Sequence, residues 1–226
     1  MLRELRQWVD EYTAGKAWWP RVPVWLGCGY LFVQYVRNPA WASVFGGLNL
    51  GIHEFGHWFF GPFGLTANVA GGTIVQLAVP LFSFRVFARQ RDPFAIAFSF
   101  AWLGDNLMNV AIYVADANAR SLQLVSPFGG DVYHDWTYLL GHAGLLKQDQ
   151  AIAWGIRTAG YACLAASVMW GAWVLWAMVR PRAVPLDLSQ APAAPVDARR
   201  QTERQYEDVI FYRDDLLDCL GQMEAM

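Results

Sequence analysis

Residues 40–61 read AWASVFGGLNLGIHEFGHWFFG, and the rest of the chain is placed by how this stretch is interpreted. His53 and His57 are four residues apart, so on a helix they stand one turn apart on one face, where two imidazoles can hold one cation. Glu54 lies beside them, placed to take a proton from a water that the cation activates. The spacing is the HExxH pattern of zinc hydrolases. Its flanks, Ala40 to Phe45 before and Trp58 to Phe60 after, have the composition of a membrane helix rather than a soluble one. The expectation is a single motif helix from Ala40 to Phe60, broken by Gly61-Pro62-Phe63-Gly64.

Glu54 is the only glutamate between Tyr12 and Thr202, and two of the chain's four histidines are in the motif. An ionisable residue in an apolar span is costly and marks function more often than not. The bland alternative is a packing pair of histidines with a glutamate bonded to a neighbour. Gly46, Gly47, Gly51 and Gly56 fit close helix approach, or room for a substrate backbone.

Composition agrees with the membrane reading. Of 226 residues 55% are hydrophobic and only 16% charged, with twelve tryptophans and a net charge of −2. That is the balance of a polytopic membrane protein, and nothing is basic enough for nucleic acid. Cys28, Cys163 and Cys219 are odd in number and scattered, which gives neither a disulfide framework nor a cysteine metal site.

Outward from the motif, residues 1–21 read as an interfacial helix with Leu2, Leu5 and Tyr12 at helical spacing and Trp18-Trp19 at headgroup level. Acidic residues interrupt this stretch and no small-residue cleavage site follows, so it is not expected to be a signal peptide. A membrane domain over residues 22–180 holds further apolar segments at Val22–Val36, Asn68–Phe87, Phe94–Ala115 and Ala151–Val179, with a polar stretch over residues 117–150. Residues 181–196, with four prolines, read as a linker, and residues 197–226 as an amphipathic soluble helix that seeks a surface or a protein partner. The expected fold is an all-α polytopic membrane helix bundle with four to six membrane segments and that C-terminal amphipathic helix. Val22–Val36 is short for a span. If it does not cross, the arginines gather on one side and the motif helix ends on the other; if it crosses, the motif approaches the cytoplasmic side.

A catalytic zinc takes three protein ligands and keeps one position for water. On the Phe94–Ala115 helix, Asp105, Asn109 and Asp116 share a polar stripe that should face the protein interior. Asp116 is the first choice for the third ligand, because water can reach a span boundary. Asp105 is the second, and His134 a rival, with Asp135 as its supporting carboxylate. Gln76 serves either as interhelical glue or as a substrate contact. The glycine-bearing region from Gly61 to Gly72 is expected to receive an extended peptide by backbone hydrogen bonds.

His53-Glu54-Phe55-Gly56-His57 in a membrane helix, followed by a glycine-bearing loop and a later span with an aspartate, resembles the site-2 protease family of intramembrane zinc metalloproteases. The likeness is to a distant branch and covers Ala40 to Asp116. It implies zinc on His53, His57 and a later aspartate, Glu54 as the base, and hydrolysis of a peptide bond in a membrane protein or peptide at the bilayer. The family's second motif has asparagine and proline ahead of Asp-Gly, whereas Asp105 precedes Asn106 here and Asp116 precedes Ala117. The expected location is an integral protein of a bacterial cytoplasmic membrane. The rival function is a non-catalytic subunit or assembly factor, with His53 and His57 binding metal or haem or only packing.

Overall fold

The computed structural model describes residues 2–122 and 134–180, so the linker and C-terminal helix expected beyond residue 180 lie outside the described residues. All regular structure among the described residues is helical. The helices are α1 (Leu2–Thr13), α2 (Val22–Arg37), α3 (Gly46–Phe60), α4 (Leu65–Arg89), α5 (Pro93–Ala115), α6 (Asp135–His142) and α7 (Asp149–Val179). Three are long and apolar enough to cross a membrane: α4, α5, and α7 together with the turn before it. These three mark a membrane protein. With 16 and 15 residues, α2 and α3 are each too short for a comfortable crossing.

The motif helix starts six residues later than the sequence suggests. Asn38 leaves α2 in extended backbone, ahead of Pro39. The Asn38 carboxamide then accepts from Ala40 N–H at 3.0 Å, and the Ser43 hydroxyl from Phe45 N–H at 3.1 Å. Short polar side chains thus take donors that a helix would have used, and the chain turns until Gly46. On the far side, Pro62 and Gly64, at φ 96°, end one helix and admit the next at Leu65. Gly71 and Gly72 are therefore inside α4, and residues 65–72 are not free to pair with an extended peptide.

The helices place the motif at one end of the bundle. Trp25 of α2 donates its indole N–H to Val168 O of α7 at 3.0 Å and fills the space beside Gly171. Ten residues on, Tyr35 donates to Asp105 Oδ1 at 2.9 Å and its carbonyl accepts from the Tyr161 hydroxyl at 2.9 Å. So α2 ends level with the middle of α5. There α3 begins: Asn49 donates to Asp105 Oδ2 at 2.7 Å and accepts from Trp102 Nε1 at 3.0 Å. The two short helices follow one another along α5, and α3 runs parallel to it. Against α3 the returning α4 comes so close that a Cβ on Gly56 would lie 2.2 Å from Gly71 O. The most extensive packing is between α5 and α7, where Gly104 lies against Gly160 and Leu164. At the other end α1 is tied down by the fully buried Val9, which packs with Phe94, Val174 and Leu175, and by Glu11–Arg91 and Asp10–Arg180 ion pairs.

Candidate metal centre

His53 is buried and His57 half-buried on the α3 face turned to α4, with ring centroids 4.7 Å apart. The His57 Nδ1 faces Asn68 O at 2.8 Å. A carbonyl only accepts, so Nδ1 carries the proton and Nε2 is left with a lone pair when the ring is neutral. In return the Asn68 carboxamide donates to His57 O at 2.8 Å. His53 is set the same way: its Nδ1 faces Gln76 Oε1 at 3.0 Å, while Gln76 Nε2 donates to Asn109 Oδ1 at 3.0 Å. Gln76 is thus the support of a histidine.

Both Nε2 atoms converge on one carboxylate oxygen. Asp135 Oδ2 lies 2.9 Å from His53 Nε2 and 3.3 Å from His57 Nε2. Burial raises the Asp135 carboxyl, but the contacts to His53 and His57 outweigh that and hold it below the ordinary carboxylate range. An anion facing two ring nitrogens is stable only with positive charge between them, carried by imidazole protons or by a metal ion. The three ligand atoms lie within 4.8 Å of one another, and the group could hold a metal ion. Space for one is kept by Gly72: a Cβ there would lie 2.6 Å from His53 Nε2 and 2.7 Å from His57 Nε2. Only glycine leaves both nitrogens clear.

The carboxylate brought to both histidines is that of Asp135, and not that of the expected Asp116 or Asp105; His134 is turned elsewhere as well. Asp116 ends α5, and its carboxylate is occupied by Ser121 N–H (2.8 Å), the Ser121 hydroxyl (2.6 Å), Leu122 N–H (3.0 Å) and His134 Nε2 (3.3 Å). Burial raises that carboxyl, and these donors together bring it below its usual value. Asp105 is fully buried between Tyr35 and Asn49. Of the polar stripe on α5, Asp105 and Asp116 are buried, each in its own hydrogen-bond set, whereas Asn109 is exposed and meets Gln76.

His134 and Asp135 exchange the roles the sequence suggested. His134 Nδ1 accepts from Thr137 N–H at 3.3 Å, so its Nε2 proton points at Asp116. His134 is the N-cap of α6, and Asp135, the first residue of that helix, turns to the histidines. The Tyr113 ring lies over His134 at 4.4 Å, and its hydroxyl accepts Asp135 N–H at 3.1 Å. Thr66 of α4 and Tyr138 of α6 share a further hydrogen bond at 3.1 Å. Glu54 is half-buried, accepts no hydrogen bond from another described residue, and is close enough to interact electrostatically with His57 and Tyr113.

Sequence reasoning gave Asp135 only the support of His134, placed Gly72 in a peptide-receiving stretch, and gave the Asn68 carbonyl no role. One signal was present: two adjacent glycines inside an apolar segment, which close packing on the motif helix would require. Comparison with protein-family models, with curated proteins and with solved structures finds no match to this chain.

Proposed function

We propose that this chain is a membrane-embedded zinc metallopeptidase of the bacterial cytoplasmic membrane, with His53, His57 and Asp135 as the metal ligands and Glu54 as general base. One observation carries the reading: two imidazoles, each anchored through Nδ1, turn their Nε2 atoms to the same buried carboxylate oxygen beside a glycine. The donors suit zinc, whose catalytic sites use two histidines and a carboxylate and leave a fourth position for water. Ligands about 2.0–2.2 Å from a tetrahedral ion stand roughly 3.3–3.5 Å apart; His57 and Asp135 are at 3.3 Å, while His53 and Asp135, at 2.9 Å, would have to part slightly to admit the ion.

Zinc bound here would act as a Lewis acid toward water and a carbonyl oxygen. The remaining work belongs to the chain. Glu54, whose carboxylate accepts no hydrogen bond from another described residue, takes the proton of the attacking water and delivers it to the departing amide nitrogen. The Asn68 carbonyl and Gln76 keep the rings from turning. The Tyr113 hydroxyl fixes Asp135 while its own proton stays available for donation to a substrate oxygen.

Two histidines on one helix face, 4.7 Å apart with Gly72 against both, cannot flank a haem, so the haem alternative has no geometric support. A packing pair is separated from a metal centre by zinc analysis of purified protein. Wild type should carry one equivalent, and His53→Ala and Asp135→Asn should carry none. Asp116→Asn should keep it, and Glu54→Gln should keep it while losing cleavage. Zinc-free wild type ends the proposal.

A further inference from the structure

We infer that the metal centre opens on the non-cytoplasmic side of the membrane and acts on polypeptide segments presented there, at or next to the bilayer surface. This rests on the peptidase reading for its chemistry, but the sidedness stands on separate observations.

The first is the polarity of the helices. Asp135 is delivered by α6, which packs beside the C-terminal end of α5, where Tyr113 and Asp116 hold it through Asp135 N–H and His134. Gln150, in the first turn of α7, donates to Ala115 O at 2.6 Å at that same end. The C-terminal half of α3 reaches it as well, since His53 lies 6.1 Å, ring to ring, from Tyr113.

The second is charge. The opposite end gathers Arg21 at the start of α2, Arg89 and Arg91 at the end of α4, and Arg180 after α7. Arg3 and Arg6 of α1 are held at this end by the pairs that Glu11 and Asp10 of the same helix make with Arg91 and Arg180. At the metal end the corresponding loops offer only Arg120 and Lys147 among the described residues. Arg37 and Arg157 lie between the two ends. Orientation follows the lysine and arginine of short loops, with the richer side cytoplasmic. The metal end is therefore the outer one.

The third is the aromatic rim. Trp58, Phe59 and Phe63 are 74%, 51% and 69% exposed around the α3–α4 turn, beside His57. Tryptophan and its neighbours at such a turn sit at the membrane–water boundary. The substrate that fits is a chain segment held at the outer surface of the bilayer, apolar enough to lie against these rings.

Sidedness is read from single cysteines. Gly141→Cys on α6 and Gln90→Cys after α4 are both at exposed positions, and no atom lies within 4 Å of a Cβ on Gly141. With a membrane-impermeant maleimide on intact bacterial cells, and labelling counted as gain over wild type, Gly141→Cys should react. Gln90→Cys should react only after permeabilisation. The reverse pattern overturns the inference. As a check without added cysteines, impermeant EDTA should strip the metal from right-side-out vesicles and spare inside-out ones; the opposite also overturns it. Two membrane-anchored reporters, with an unfolded segment outside or inside, then test the substrate. Cleavage of the outer one alone, dependent on Glu54, supports the inference, and cleavage of the inner one refutes it. If neither is cut while labelling is as expected, the peptidase reading and its substrate fall and the sidedness holds.

Discussion

Gly72 decides whether the two imidazoles can share an ion. A methyl group there collides with both Nε2 atoms and pushes rings, not backbone. Gly72→Ala should therefore lower zinc affinity by about 10–100-fold, the range seen when a metal ligand's support is lost. Alanine's better helix propensity, roughly 0.5–1 kcal/mol, works against any loss of stability. Zinc titration and a thermal melt of the same sample check both halves. Gln76→Leu should weaken zinc by a similar factor for another reason: His53 Nδ1 loses its acceptor and the ring is free to turn. Asp116 gives a pH signature instead. Its carboxyl is lowered in the folded chain, so its contribution is full above the ordinary aspartate pKa of about 3.9. That contribution is lost as pH falls through the lowered value. Asp116→Asn should cost about 1–3 kcal/mol at neutral pH, where the buried His134 and the Ser121 and Leu122 donors lose a charged acceptor. The gap to wild type should narrow in melts taken progressively below the ordinary aspartate range. A gap that does not change at all with pH would show that Asp116 acts through packing.

Among the elements, the contact of α5 with α7 is made by small residues. A Cβ on Gly104 would stand 2.8 Å from Leu164 Cγ and 3.0 Å from Gly160 O. Gly104→Val should overpack this crossing and cost about 1–3 kcal/mol, read as a lowered melting temperature in detergent. At this scale the sequence is a good guide to α4, α5 and α7, because apolar length is a local property. The motif pair is equally legible, since four-residue spacing fixes a shared helix face. Two things were not. The start of α3 depends on Asn38 and Ser43 taking backbone donors, a choice between two local hydrogen-bonding options that spacing does not rank. The choice of Asp135 over Asp116 depends on which carboxylate meets other donors first. Ser121 and Leu122 occupy Asp116 through a turn just past the end of α5, and no periodicity announces that.

Taken whole, residues 1–180 form one compact unit, and the three residues that could hold a metal are inside it with their supports. A chain ending at Arg180 should bind zinc with the stoichiometry of the full protein, as measured on the purified protein in detergent. Loss of zinc on truncation would mean that the last residues complete the centre. The interruption between α2 and α3 has a consequence at this scale. Hydrocarbon offers nothing to a bare amide, yet residues 38–45 leave the helix halfway across the bundle. Trp41, seated edge-on against Tyr35 at 5.4 Å, and Phe45, against Phe98 at 6.4 Å, act as a gasket over that seam. If acyl chains reached the turn, the unsatisfied peptide groups would draw in water, and the leak would open about two helical turns from His53.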